Sequence, residues 1–176
     1  KNYEYIGKFK DGIFKKGTYT HYKIVNKKLV KSFEQIGKFK DGNMYGSGKH
    51  IGYIIVNDKL VKYYEQIGTF KNGLFTKGTY TFYKIVNDNL VKNYEQIGNF
   101  KDDKIYGSAK IIRYTIEKGK SVKNYEQIGN FKVNKWTGSI VLNDESGKEI
   151  WYKTENEERV KEEEVNGHFV NNILTK

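Results

Sequence analysis

Apolar and polar residues alternate along this chain in runs of about nine to twelve positions, and each run ends at a turn signal. One signal follows a phenylalanine and reads Lys-Asp-Gly, Lys-Asn-Gly or Lys-Asp-Asp, as at residues 40–42. The other reads Val-Asn followed by two polar residues, as at 56–59. Asp-Gly and Asn-Gly supply the positive φ angles of tight hairpins. Period-two runs between such turns predict an antiparallel meander. No run has the 3.6-residue period of a helix, although the acidic segment 155–165 has helix-compatible composition.

The pattern repeats. Gly7, Gly37, Gly68, Gly98 and Gly129 each lie in an Ile-Gly-x-Phe unit, with spacings of 30, 31, 30 and 31 residues. Units start near 6, 36, 67, 97 and 128 and alternate between two subtypes, so the true repeat is a pair of about 61 residues. The expected fold is all-β: a meander array with about two strands per unit, ten or more strands, and a single twisted, elongated sheet. Two parts are expected: an array over 1–150, then an acidic cap over 151–176 that holds a repeat remnant at 165–172.

Alternation assigns faces. Phe33, Gln35, Gly37 and Phe39 share one, as do Tyr64, Gly68 and Phe70. The structural core of the repeat is therefore expected at Phe9, Phe39, Phe70, Phe100 and Phe131, with Gly7, Gly37, Gly68, Gly98 and Gly129 leaving gaps for neighbouring rings. Stacked units should bring Phe onto Phe, each cross-strand aromatic pair contributing about 0.5–1 kcal/mol. Counting four residues from the first glycine of each unit's second strand places His21, His50, Phe82, Ile111 and Leu142 at one position, which makes both histidines packed ladder residues. The opposite face carries Ile36, Ile67, Ile97 and Ile128 and leaves apolar area to be covered.

Composition narrows the chemistry. The chain has 176 residues, 32 Lys+Arg against 21 Asp+Glu, no Cys and no Pro. Disulfides and Cys-ligated metals are excluded. No apolar run approaches the ~20 residues of a membrane-spanning helix. The cytoplasm is favoured, and secretion with a removed leader stays open. Residues 1–150 carry net charge +13 and 151–176 net −2. The recurrent Glu4, Glu34, Glu65, Glu95 and Glu126 lie among lysines, which reads as cross-strand charge pairing rather than acid–base catalysis. No phosphate-cradling loop or nucleophile constellation is present. The expectation is no enzyme, no cofactor and no metal site. Aromatic–basic neighbours recur at Tyr22, Lys23, Tyr53, Tyr83, Lys84, Arg113 and Tyr114, and these form the candidate partner-binding surface.

The segment at 37–48, GKFKDGNMYGSG, fits the G-x-F-x-x-G-x-x-x-G-x-G pattern of MORN repeats, the membrane occupation and recognition nexus, and unit one opens with the similar YIGKF. The chain resembles a long-repeat variant of that family over residues 1–142. It departs in its 30-residue unit, in a Gln at the first aromatic position of four units, and in Asp103 and Asn134 where glycine is expected. The resemblance implies a narrow, twisted scaffold sheet that docks proteins or, in some members, anionic lipid. The functional expectation is thus a non-enzymatic β-repeat scaffold that binds a protein partner through an aromatic-rich face or edge. The alternatives are a module for anionic membrane surfaces, a bacterial or phage effector, immunity or antagonist protein acting by protein binding, and a sugar binder using exposed tyrosines with Trp136 and Trp151. Nucleic acid is disfavoured, since arginine is rare. Nothing in the sequence assigns an oligomeric state.

Overall fold

A computed structural model describes residues 1–133, 139–155, 158–170 and 172–175. Asn134 and Trp136 lie outside them. The chain is an open antiparallel β-meander with thirteen strands among the described residues. It divides into two compact units, 1–83 and 84–176.

The first unit holds β1 (Tyr3–Lys10), β2 (Ile13–Val25), β3 (Lys28–Lys40), β4 (Asn43–Val56), β5 (Lys59–Lys71) and most of β6 (Leu74–Val86). The second holds β7 (Asn89–Lys101), β8 (Lys104–Glu117), β9 (Lys120–Val133), β10 (Ile140–Leu142), β11 (Asp144–Glu155), β12 (Glu158–Val170) and β13 (Ile173–Thr175). Within each unit sequential strands pair antiparallel, except that β9 is bordered on one side by both β10 and β11. Of the acidic segment that could pass for a helix, Glu155 ends β11 and residues 158–165 belong to β12, which pairs with it.

Two-residue turns make the meander. Asp11–Gly12, Asn26–Lys27, Asp41–Gly42, Asn57–Asp58, Asn72–Gly73, Asn87–Asp88, Asp102–Asp103 and Lys118–Gly119 all have positive φ at both positions. This is the signature of type I′, whose twist matches that of the strands it joins.

The first face of the sheet is a double row of rings in the first unit. Tyr5, Tyr19, Phe33, His50, Tyr64 and Tyr80 come one per strand, with successive centroids 4.8, 5.8, 5.3, 5.4 and 5.7 Å apart. Beside them runs the phenylalanine row, which differs from a simple Phe-on-Phe stack. Between Phe9 and Phe39 stands Phe14, at 5.3 and 4.8 Å from the two. Met44 pairs with Phe39, and Phe75 with Phe70. In the second unit Ile105 pairs with Phe100 and Leu142 with Phe131. Each repeat phenylalanine thus meets its own hairpin's returning strand first. Met44, Phe75, Ile105 and Leu142 are as buried as Phe39, Phe70, Phe100 and Phe131, whereas Phe9, expected in the core, is 53 % exposed on β1, the first strand in the sheet order.

His21 and His50 do not hold equivalent places. His50 faces Gln35 and Gln66, the position Tyr19 holds opposite Tyr5 and Gln35. The place of His21 is taken by Gly52, both facing Phe33. The cause is a wide bulge: Gly46, Ser47 and Gly48 stand opposite Gly37 alone, with Gly46 at φ +68. Counting from Gly46 therefore slips by two residues. Both histidines do pack in the ring layer: His21 stacks on Phe33 at 5.0 Å, and the Tyr64 hydroxyl lies 3.3 Å from Nε2 of His50.

Candidate interaction surface

The second face is built from four cross-strand rows, of which the glutamate row organises the rest. The central row in the first unit is Glu4, Thr20, Glu34, Ile51, Glu65 and Thr81, each paired with the next. In the second unit it is Glu95, Ile112, Glu126, Ile150 and Glu164. The glutamate of each first strand thus alternates with a Thr or Ile of the second strand. Glu65, Glu95 and Glu126 are buried, and a buried carboxylate needs charged or hydrogen-bonding partners.

A β-bulge supplies them. His21 pairs with Phe33 but Tyr22 pairs with Lys31, so Ser32 is the extra residue. Tyr63, Asn124 and Glu162 are extra at the same point of β5, β9 and β12. Residues three apart in a regular strand lie on opposite faces. The added residue puts Lys31 on the side of Glu34, and the same holds for Lys62 and Glu65, and Lys123 and Glu126. The resulting ion pairs measure 2.6, 3.4 and 2.8 Å. Lys49 and Lys110 add cross-strand pairs to Glu65 and Glu126 at 2.7 and 2.5 Å.

A tyrosine completes each set. The hydroxyls of Tyr22, Tyr53 and Tyr83 donate to Glu4, Glu34 and Glu65 at 3.2, 2.6 and 3.3 Å. Tyr114 donates to Glu95 and Tyr152 to Glu126. The lysine ammonium then lies over the ring: Lys62 is 4.2 Å from the Tyr83 centroid and Lys123 is 4.2 Å from that of Tyr152. Such contacts contribute about 0.5–2 kcal/mol each. Burial drives the Tyr53 and Tyr114 hydroxyls up, and the adjacent carboxylates push them further. Burial alone would raise the Glu126 carboxyl too, but hydrogen bonds from Lys110, Lys123 and Tyr152 outweigh it and hold it down at about 2.

Tyr22, Tyr53, Tyr83 and Tyr114 therefore share one face, with their hydroxyls occupied inside the sheet. Lys23, Lys84 and Arg113 are exposed. Lys23 follows Tyr22 directly and points to the opposite face. Arg113 lies between Tyr94 and Tyr125 on the ring-bearing face. Trp151, weighed as a sugar platform, packs its ring on Tyr125 at 5.2 Å.

What the second face presents to solvent in the first unit is a flanking row of Ile6, Ile36 and Ile67, interleaved with Thr18 and Lys49; alternation assigns Ile36 and Ile67 to this face, and the register adds Ile6. Ile36 and Ile67 are 39 and 48 % exposed. Next to it run Lys8, Lys16, Lys38 and the exposed Tyr45, again paired strand to strand. Among the described residues no group of three or more His, Asp or Glu side chains is placed to hold a metal.

These rows define the class of the molecule, a β-hairpin repeat protein whose two faces are set by side chains recurring once per strand. No family model matches the chain, and no curated protein matches its sequence.

Proposed function

We propose that this chain is a non-enzymatic repeat scaffold and that the flanking row of its first unit docks a protein partner with an acidic, partly apolar surface. The observation that carries this reading is the exposed Ile6–Ile36–Ile67 row beside Lys8, Lys16 and Lys38. Aliphatic area left open on a regular face suits an interface, and the basic row supplies charge complementarity to an acidic partner. The resemblance to MORN repeats, a family of docking scaffolds, favours the same reading.

The test is capture of interacting proteins from the source cell with the chain and with an Ile36→Glu/Ile67→Glu variant. Both side chains are half exposed, so the variant is expected to fold. A specific acidic protein retained by the parent and lost from the variant is the expected result. Equal recovery with both removes this face from consideration.

The line of Lys8, Lys16 and Lys38 also favours a second reading, an anionic membrane surface. In that case the chain sediments with anionic vesicles, not with neutral ones, and leaves them as salt shortens the screening length.

A further inference from the structure

A small pocket lies where two hairpin turns of the first unit meet. β3 ends at Lys40, Asp41–Gly42 makes the turn, and Asn43 starts β4; β5 ends at Lys71, before the turn Asn72–Gly73. The Gly73 amide donates to the Met44 carbonyl at 3.0 Å, which fastens the second turn against the strand that leaves the first. The Asn43 side-chain amide donates to the Asp41 carbonyl at 3.2 Å. Its Oδ1 sits so close to Gly73 that a Cβ there would meet it at 3.1 Å. The cavity framed in this way measures about 270 Å³ and is lined by Lys40, Asp41, Asn43, Tyr45 and Asn72. Tyr45 pairs with Lys38, shares a face with Asn43 and is 41 % exposed.

The charged and phenolic groups of the central rows are spent on one another, as in Lys31–Glu34–Tyr53. Those of the pocket are not. Among the described residues the Lys40 ammonium, the Asp41 carboxylate, the Tyr45 hydroxyl and the Asn72 side-chain amide have no hydrogen-bond or ion-pair partner. The carboxylate disfavours an anion and the ammonium a cation. Acceptors and donors mixed in this way match a ligand whose groups do both, which is what hydroxyls do. The Tyr45 ring adds an apolar plane on which the C–H face of a sugar ring can lie. The volume, at the small end of ligand pockets, takes one such ring. We infer that this pocket binds one pyranose unit of a neutral carbohydrate. The inference stands apart from the scaffold reading. The second unit supplies its own control: Lys104 and Val133 stand where the first has Asn43 and Asn72, although Tyr106 matches Tyr45 and is 44 % exposed.

The probes are the methyl pyranosides of glucose, galactose, mannose and N-acetylglucosamine, titrated into the full chain and followed by amide NMR shifts. The series runs to about 50 mM, since one ring in an open pocket binds in the millimolar range. Saturable shifts at Asn43, Tyr45 and Asn72 with at least one glycoside are expected. Tyr45→Ala and Asn72→Asp should each weaken that binding by about fivefold or more, and Tyr106→Ala should leave it unchanged. Asn72→Asp keeps the turn, because Asp11 and Asp41 hold the same turn position at the same φ. Shifts that never saturate, shifts centred elsewhere, or equal losses in Tyr45→Ala and Tyr106→Ala overturn the inference. Inorganic phosphate giving the same saturable shifts overturns it in favour of an anion site. If the glycosides fail while the Ile36→Glu/Ile67→Glu variant still loses its protein partner, the pocket is wrong and the scaffold reading stands. If they bind as expected and that variant captures as well as the parent, the face is wrong and the pocket stands.

Discussion

Single residues decide where this chain turns and where it tolerates no side chain. Lys27 and Asp103 occupy the second position of I′ turns at φ +63 and +58, where other turns of the chain use glycine. A left-handed conformation costs a side-chain-bearing residue about 1–2 kcal/mol, and glycine gives back part of that through its freer unfolded state. Lys27→Gly should therefore raise stability by about 0.5 kcal/mol, read as a higher urea midpoint with unchanged slope. Gly68 is the opposite case. It faces Gly78 with φ +158, and a Cβ there would lie 2.0 Å from the Lys77 carbonyl oxygen. The contact is backbone on backbone, so no rotamer change relieves it. Gly68→Ala should cost on the order of 3 kcal/mol, and a loss below about 1 kcal/mol would show that β5 and β6 can separate there. Gly52 is small for another reason: the Tyr64 ring lies where its Cβ would be.

At the scale of strands, the repeated bulge is what turns a charged sequence into a stable face. The Lys31–Glu34–Tyr53 set requires that Ser32 count for nothing in the register. Its identity is then unimportant and its presence is not. Ser32→Ala should change stability by less than about 0.5 kcal/mol. Deleting Ser32 should flip Lys31 away from Glu34 and leave a half-buried carboxylate short of its cation, a loss on the order of 2–3 kcal/mol. Equal effects of the two changes, measured by denaturant unfolding, would remove the bulge from the account. The same feature marks how far the sequence could be read. Turns were legible because Asp-Gly and Asn-Asp write their φ angles in residue type. The burial of Phe39, Phe70, Phe100 and Phe131 and the exposure of Ile36 and Ile67 were legible because alternation holds across the middle of each strand. The lysine–glutamate–tyrosine sets were only half legible. Pairing of Glu with Lys follows from composition, but the bulge position is filled by Ser32, Tyr63, Asn124 or Glu162, so no residue type announces it. The Gly46–Ser47 insertion hid the true partners of His50 in the same way. Met44, Phe75 and Ile105 carried a signal that strand counting could have used: each lies five residues after a repeat phenylalanine, across a two-residue turn.

Over the whole molecule, the glutamate rows tie stability to pH in one direction. Glu34, Glu65, Glu126 and Glu164 all have depressed carboxyl pKa values; Glu126 and Glu164 lie at about 2. For the first three, burial opposes ionisation and is outweighed by donors that include Lys31 and Tyr53, Lys49, and Lys110. For Glu164, hydrogen bonds from Lys148 and Lys161 lead. A carboxyl whose folded pKa lies below its unfolded value adds stability that is complete above the unfolded pKa, near 4.5 for glutamate, and disappears as pH falls through the folded one. The chain should hold constant stability from neutral pH down to about 5 and then lose it steadily toward pH 2. Glu126→Gln isolates one member. At pH 7 the variant should be less stable by about 1–2 kcal/mol, since Lys110 and Lys123 lose their anion yet stay exposed enough to regain water. Its stability should change less between pH 5 and pH 2, and the two curves should converge as pH approaches 2, where the parent carboxyl is itself about half protonated. Curves that stay parallel through that window would show that Glu126 titrates normally, and that the rows are held by packing of Thr20, Ile51, Thr81, Ile112 and Ile150 rather than by charge.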